Sequence, residues 1–230
     1  AGGYWSRAFL RNAGVKFPQL GVVCSVFRTA PRDAGLKHTI SGGKYTARRR
    51  LDGGYTITHN HLPVAELTPG HFRQFMKFLP LLRLDFGGVK IRMGSRYVRE
   101  LIMRKRWALD QISPFERWRI LDPKPYNGIL REALSALQAD FPAFQGIEVV
   151  ERWAGMIDAT PDAVPVFDAI SKIPGLFVAS GLSGHGFGLG PGAGQLMAEI
   201  ITGEKPCVDP TPFRHGRFGW FSRPAPTTGL

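Results

Sequence analysis

The chain has 230 residues, and its 43% of hydrophobic residues suffice for a sizeable core in one large or two small domains, which excludes bulk disorder. No apolar run approaches the roughly 20 residues of a membrane helix, so no transmembrane segment is predicted. Thirty Lys and Arg against 18 Asp and Glu give a net charge of +12, but no zinc-finger spacing, RNP-like strand or basic zipper accompanies it. We therefore predict no nucleic-acid partner and favour a solvated basic face, a surface for an acidic partner or steering of an anionic substrate.

The two cysteines, Cys24 and Cys207, are far apart in the sequence, and neither lies in a Cys-x-x-Cys or Cys/His cluster. Their positions offer no zinc site and predict two free thiols in a reducing compartment, which favours a cytoplasmic protein. The opening nine residues, AGGYWSRAF, lack the basic and apolar regions of a signal peptide.

Residues 1–60 predict a turn, a short helix and then β-structure. Segment 1–12 resembles the end of a strand followed by a helix with Ser6 as N-cap, and no partner strand precedes it, so we expect half of the fold to be missing. Residues 13–60 are rich in β-branched and aromatic residues, and Asp52-Gly53-Gly54 between two alternating runs predicts a hairpin. Its apolar and polar faces indicate a half-solvated antiparallel sheet.

Residues 61–140 predict mainly helices. Thr68 and Pro69 predict a helix start, after which one helix face carries Phe72, Phe75, Met76 and Leu79. Segments 95–109 and 129–141 show similar apolar spacing. We expect these stripes to pack in the core, the alternative being a helix pair that lies over a substrate pocket.

Residues 141–230 return to strands and turns. Segments 147–160 and 174–181 predict strands, and a glycine-rich run then leads into an apolar helix at 194–202 that Gly203 ends. The remaining residues, 204–230, are rich in proline, and we expect them to form a tail on the surface.

The glycine-rich run carries the candidate chemistry, because a strand, a glycine turn and a helix N-terminus together present N–H groups to an anion or an electronegative oxygen. Gly188, Gly190 and Ala193 match G-x-G-x-x-A, but only the proline-rich tail follows the helix. The run therefore does not open the βαβ unit of a self-contained dinucleotide site. It either serves a cofactor held mainly by other residues or allows tight packing of helix on strand.

Two blocks in chain order, WAGMIDATPDAVPVFDAI at 153–170 and PGLFVASGLSGHGFGLGPGAGQLMAEIITG at 174–203, closely resemble the C-terminal signature of the D-amino-acid oxidase, glycine oxidase and sarcosine oxidase family. The opening AGGYWSRAF resembles the segment where that family's chain leaves its flavin domain. The strand at 23–28 and the hairpin after it resemble the sheet that follows, whereas residues 61–140 match only in general character.

The resemblance implies an α+β fold in which an antiparallel-sheet substrate domain with helices adjoins the C-terminal remnant of an FAD-binding Rossmann-like domain. The implied boundaries are 1–12 for the end of the FAD-binding domain, 13–152 for the substrate-binding domain, 153–203 for the returning FAD-binding segment and 204–230 for the tail. The family's N-terminal Rossmann fingerprint is not among these residues. The implied partner is therefore the missing N-terminal FAD-binding half or a partner subunit.

The cofactor implied by the resemblance is FAD, bound non-covalently, since residues 153–156 lack the cysteine to which some family members attach it. A helix beginning near Gly190 would point its positive end at the flavin's pyrimidine oxygen. His185 is also a weak candidate for a general base, although a flavin contact or a structural role is favoured. The residues implied to contact the cofactor are Gly2, Gly3, Trp5, Ser6, Gly181, Ser183, Gly184, His185, Gly186, Gly188 and Leu189.

The sequence departs from the family where Ile157-Asp158 replaces an Arg-Pro pair whose arginine binds the substrate carboxylate in glycine-oxidase-like members. One of Arg48, Arg49 and Arg50 could replace it, because arginine binds carboxylates with two hydrogen bonds, but a solvated hairpin face is the favoured alternative. Tyr45 and Tyr55 could line the same substrate pocket or, equally, pack in the core.

The predicted function is oxidation of the C–N bond of an amino acid or secondary amine by hydride transfer to FAD, in an enzyme of which this chain is one part. Two alternatives stay open. One is the same fold acting on the C–OH bond of a 2-hydroxy acid or polyol, and the other is a non-catalytic fragment or split subunit without flavin. The basic run at 90–106 is a candidate docking surface for a partner subunit.

Overall fold

The computed structural model describes residues 3–60, 62–84, 87–219, 222 and 226. Helix α1 (Ser6–Asn12) is followed by strands β1 (Leu20–Thr29), β2 (Ile40–Ser41), β3 (Thr46–Arg49), β4 (Tyr55–Thr58) and β5 (Val64–Leu67). Next come α2 (Pro69–Leu84), β6 (Lys90–Met93), α3 (Ser95–Ile102), α4 (Pro114–Arg117) and α5 (Asn127–Asp140). The described chain ends with β7 (Val149–Ala159), β8 (Val166–Ala169), β9 (Phe177–Ser180), α6 (Gly186–Thr202) and short 3-10 turns at 211–213 and 215–218.

The main sheet contains seven of the described strands in the order β2-β3-β4-β1-β5-β6, with β7 paired along the length of β1. Val23 of β1 pairs with β7 on one side and β5 on the other, and Val26 pairs with β7 and β4 in the same way. Strands β4 and β5 therefore lie on the side of β1 opposite to β7. The sheet is mixed and not purely antiparallel as expected, because β5 and β6 pair in parallel. Parallel pairing follows from the crossover through α2, which returns the chain in its original direction.

The hairpin between β3 and β4 forms where the sequence predicts it. Gly53 has φ of +82°, which residues with a side chain rarely adopt, and the Asp52 carboxylate accepts a hydrogen bond from the Gly54 N–H at 3.0 Å. A Cβ atom at Gly54 would stand 2.4 Å from the carbonyl oxygen of Thr29, so this position needs glycine for space as well. The turn sequence therefore fixes the register of the pair.

The largest core cluster lies between this sheet and α5. Helical spacing places Leu130, Ala133 and Leu137 on one face of α5, as predicted, and that face packs on Phe27 and Ile57 of the sheet. Strands β8 and β9 form a separate two-stranded antiparallel sheet. Helix α6 packs on this sheet through Leu196 and Met197, which contact Phe167 of β8. The proposed domain boundaries stay a prediction.

Three predicted helical features are wrong in detail. The stripe on α2 is exposed at Phe72, Phe75 and Met76, because its opposite face, with Phe78 and Leu81, packs on Leu20 and Ala159. Helix α3 ends at Ile102 and does not continue to 109. Helix α6 begins at Gly186, eight residues before the predicted start, so Gly188 and Gly190 are helical.

The C-terminal segment is more firmly packed than the surface tail that we expected. Phe218 is buried in a cluster with Leu10 and Val178, and Arg217 pairs with the buried Asp162 at 2.7 Å. Within residues 3–60, 62–84 and 87–219, none of the helices combines the length and hydrophobicity that crossing a bilayer requires.

Candidate functional site

The turn between β9 and α6 has an unusual backbone. Gly181 and Gly184 have φ values of +77° and +87°, and the non-glycine Ser183 between them has φ of +49°. A left-handed conformation at a residue with a side chain is uncommon and is typical of functional turns. The Ser183 hydroxyl donates to the carbonyl of Gly181 at 3.2 Å, and this hydrogen bond within the turn stabilises its conformation.

The first turns of α6 expose the glycines at 188 and 190, and the side chains of Phe187 and Leu189 are exposed beside them. His185 occupies the N-cap position with its side chain exposed and without capping the helix, and no acidic residue stands in the first turn. A Cβ added at Gly188, Gly190 or Gly192 would meet no atom within 4 Å. The positive end of a 17-residue helix is therefore open to a ligand on this side.

A buried polar network joins this turn to the N-terminal segment. The side-chain amide of Gln19, 1% exposed, donates to the carbonyl of Gly3 at 3.1 Å and to the carboxylate of Asp158 at 2.8 Å. The same carboxylate accepts the N–H of Gly181 at 2.8 Å, and the carbonyl of Asp158 accepts the N–H of Ser183 at 3.0 Å. The two segments that the resemblance assigns to the cofactor are thus brought together by Gln19 and Asp158.

Asp158 is an uncommon residue for this interior position. Burial raises the pKa of its carboxyl above the usual value, although the hydrogen bonds from Gly181 and Gln19 act in the opposite direction. The sequence marked this position only as a departure from the Arg-Pro pair. Neither Gln19 nor Asp158 was predicted as a site residue, and the departure at Asp158 was the one signal that pointed to it.

The N-terminal segment contributes aromatic and polar groups. The Trp5 ring packs edge-on against Phe115 of α4 at 5.4 Å, and Phe115 in turn meets Trp107 at 5.3 Å. Trp5, and not Ser6, is the N-cap of α1, so Ser6 is the first helical residue and is buried. Gly2 lies outside the described residues.

A second polar cluster lies between α1, α2 and α3. Arg7 pairs with the buried carboxylate of Glu100 at 2.5 Å. Burial alone would raise the pKa of Glu100, but the charge of Arg7 and further hydrogen bonds keep it below its usual value. Burial lowers the pKa of His71 to about 4, and its Nδ1 accepts the N–H of Thr68 at 3.1 Å, so the ring is neutral at pH 7.

The predicted substrate residues lie apart from the turn between β9 and α6. Tyr45 and Tyr55 are buried in the core between the sheet and α5, where Tyr55 packs on Phe144 at 4.8 Å and Tyr45 donates to Asp140 at 2.8 Å. Arg48 is exposed, and Arg50 pairs with Asp52 at 3.1 Å on the hairpin. These positions agree with the alternatives of core packing and a solvated hairpin face, and substrate binding by these residues stays a prediction.

Three of the seven basic residues at 90–106 stack on aromatic rings within the chain. The guanidinium of Arg92 stacks over Tyr126 at 5.3 Å, that of Arg96 over Tyr4 at 5.1 Å and that of Arg99 over Trp118 at 5.7 Å. Such contacts hold both partners in place. This part of the run therefore positions α3 and β6 on their neighbours, and docking of a partner subunit here stays a prediction.

The residues present fit one edge of a flavin and not a whole dinucleotide. The open N-terminus of α6 supplies N–H donors and positive potential for an electronegative ring oxygen, and the glycines allow a planar ring to approach closely. No phosphate-binding fingerprint follows a strand elsewhere in the sequence. Among the residues that the structure describes, no group of three or more His, Cys, Asp or Glu side chains is arranged to hold a metal ion.

Comparison with solved structures shows a likeness that extends over almost the whole chain. The L-amino acid deaminase from Proteus vulgaris superimposes with a TM-score of 0.88 at 32% identity, over 95% of this chain and 50% of that one. The L-amino acid deaminase from Proteus myxofaciens, solved in complex with anthranilate, gives 0.89 at 30% identity, over 95% and 49%. The chain thus spans about half the length of these relatives.

Sequence comparison leads to the same group. The glycine oxidase of Pseudomonas putida is 32% identical over 93 residues, which are 38% of this chain and 26% of that protein. The family model described as DAO, FAD dependent oxidoreductase, matches residues 1–200, from the N-terminal segment through the turn and most of α6. This match covers both segments that Gln19 and Asp158 join, and the chain belongs to the DAO family of FAD-dependent oxidoreductases.

Proposed function

We propose that this chain forms the substrate side of an FAD-dependent oxidoreductase that oxidises the C–N bond of an L-amino acid. The observation that carries the proposal is the likeness to two L-amino acid deaminases over 95% of the chain. The glycine oxidase match, by contrast, covers 38% of the chain. The replacement of the family's arginine by Ile157 also supports a substrate position different from that in glycine oxidases.

The turn at 181–185, the first residues of α6 and the N-terminal segment would hold the flavin ring of a non-covalently bound FAD. When bound, the flavin accepts the hydride that leaves the substrate carbon. The N-terminus of α6 would stabilise negative charge at the flavin edge that faces it, because its N–H dipoles are already oriented there before the reaction. Gln19 and Asp158 would position these two segments against one another without touching the reacting atoms.

The pyrophosphate and adenosine of FAD need binding groups that this sequence does not supply. We therefore propose that flavin binding requires a second, N-terminal FAD-binding half, on the same chain in a longer protein or on a partner subunit. The proposal is supported by the coverage of about half of each solved relative. It implies that the 230 residues alone are a non-catalytic unit.

The test compares the chain alone with the chain joined to the half of the Proteus vulgaris L-amino acid deaminase that the structural match leaves uncovered. We expect the purified chain to be colourless and the joined protein to show flavin bands near roughly 370 and 450 nm. Under anaerobic conditions, L-amino acids should bleach the joined protein. Bleaching by 2-hydroxy acids or D-amino acids instead would contradict the proposed substrate class.

A matched pair of variants tests the role of the buried network. Asp158→Ala removes the acceptor shared by Gly181 and Gln19, and we expect a lower flavin content per joined protein. Asp33→Ala removes an exposed carboxylate that accepts the nearby Gly35 N–H, and flavin content should not change. Equal flavin content in both variants would show that the network does not position the flavin-facing segments.

A further inference from the structure

A cavity of about 410 Å³ lies between α5 and the strands β1 and β7. The cavity is open to solvent on one side, where Arg131 and Arg152 are exposed, and its volume is within the usual range for clefts that bind small organic molecules. Arg152 on its rim lies six residues before Asp158 on β7, so the cavity is about 20 Å from the flavin-facing turn at the ~3.3 Å rise of a strand. Its lining residues are Phe27, Pro125, Asn127, Leu130, Arg131, Leu134, Val149 and Arg152.

The floor of the cavity is apolar. Phe27 and Leu130 are 1% and 3% exposed and belong to the main core cluster, while Leu134 and Val149 form half-buried walls. Phe27 and Arg152 are directly opposite one another in the β1–β7 register. Opposed residues of an antiparallel pair project from the same face of a sheet, so the guanidinium of Arg152 lies beside the apolar floor.

The ionisable groups of the cavity are all cationic. Arg131 and Arg152 line it from the helix and from the strand, and none of the Asp and Glu residues that the structure describes does so. Among the described residues, neither guanidinium has a hydrogen bond or ion pair, whereas Arg28 and Arg50 on the same sheet are paired with carboxylates. Two unpaired guanidiniums beside an apolar floor match a ligand with a carboxylate at one end and an apolar body at the other.

We propose that this cavity is a binding site for a small amphipathic carboxylate. Its carboxylate lies between Arg131 and Arg152, and its apolar body lies over Phe27 and Leu130. The site is separate from the flavin-facing turn and does not depend on the proposed function.

The probe is 1-naphthoate, titrated against the purified 230-residue chain by isothermal calorimetry. We expect saturable one-site binding that weakens about tenfold in Arg131→Gln and in Arg152→Gln, since a charge-assisted hydrogen bond contributes about 1.5 kcal/mol or more. Arg48→Gln and Arg49→Gln remove the same charge from exposed hairpin positions and should change affinity less than twofold. The neutral isostere 1-naphthylmethanol should bind at least tenfold more weakly than 1-naphthoate.

Methyl NMR spectra locate the bound probe, which guards against weak binding to other exposed apolar residues. The methyl signals of Leu130, Leu134 and Val149 should shift on addition of 1-naphthoate, with distant methyls such as those of Leu196 unchanged. Far-UV circular dichroism confirms that each variant is folded. The proposal is overturned if 1-naphthoate does not bind, if the hairpin variants weaken binding as much as the cavity variants, or if the shifts map elsewhere.

Discussion

Two regions of this molecule differ in which residues they bury. In the layer formed by the main sheet and α5, apolar residues such as Ile57 and Leu137 are fully buried and the charged residues are outside. In the layer formed by α2 and α3, the only α3 residue that is buried is Glu100, while Met76 and Leu101 are 75% and 60% exposed. The first region follows the usual distribution of polar and apolar residues, and α3 in the second region reverses it.

The contrast shows that periodicity identifies a helix without showing which of its faces is buried. α5 has one apolar face and a sheet to cover, so its burial follows from its sequence. α2 has apolar residues on both sides, and Leu20 and Ala159 cover only the side with Phe78 and Leu81. Ion pairs and cation–π contacts hold the second region to its neighbours where burial of apolar side chains does not.

The largest expected effect of a single substitution is in the first region. Leu137→Ala removes a fully buried side chain from the main core and should lower the free energy of unfolding by about 3–4 kcal/mol through lost burial and a new cavity. Leu101→Ala deletes the same atoms from an exposed position of α3 and should cost less than about 0.5 kcal/mol. Urea denaturation of the two variants measures the difference, and similar losses would remove the distinction between the regions.

In the second region, removal of a buried charge should lower the free energy of unfolding strongly. Glu100→Gln keeps the shape of the side chain but leaves the guanidinium of Arg7 without its buried partner. We expect a loss of roughly 2–3 kcal/mol, because an unpaired charge in a mostly buried position is costly. Glu132→Gln breaks the exposed pair with Lys44 and should cost less than about 0.5 kcal/mol. A Glu100 variant as stable as the Glu132 variant would mean that the second region does not rely on its buried ion pair.

The neutral His71 makes the second region sensitive to acid. Burial lowers its pKa to about 4 from 6.5, so the folded state binds a proton less readily than the unfolded state. Its stabilising contribution is therefore complete above pH 6.5 and is lost as the pH falls towards 4.

His71→Gln should therefore reduce the loss of stability between pH 7 and pH 5 by about 2 kcal/mol. His38→Gln, which removes an exposed histidine, should leave that loss unchanged. Urea midpoints at the two pH values give the comparison. The same acid dependence in all three proteins would show that His71 is not the group responsible.

Local signals in the sequence predicted much of the fold. The Asp52-Gly53-Gly54 turn, the periodicity of α5 and Gly203 at the end of α6 each act within a few residues, and each is confirmed. The early start of α6 was missed because glycine disfavours a helix by itself, and the end of α3 was missed because the basic residues that follow Ile102 are good helix formers and give no local stop signal. The parallel pairing of β5 and β6 depends on a crossover that no single segment encodes.

The candidate site could be predicted only in part, because it too depends on contacts between distant segments. The resemblance to a family identified the N-terminal segment and residues 181–189, which form the turn and the start of α6. The connection between them depends on Gln19 and Asp158, which are 139 residues apart, and neither belongs to a local pattern. Contacts over such separations appear only once the chain is folded.

The smallest expected effect concerns the exposed face of α2, which the sequence predicted to be buried. Met76→Ser should change the free energy of unfolding by less than about 0.5 kcal/mol, because three quarters of this side chain is already in water. Leu81→Ser, on the buried face of the same helix, should cost several times more because a hydroxyl would replace an apolar side chain in a closed cluster. Urea denaturation of both variants over a range of protein concentrations measures this. A large, concentration-dependent loss for Met76→Ser would mean that another surface covers this face in solution, and the contrast between the two regions would then belong to the isolated chain alone.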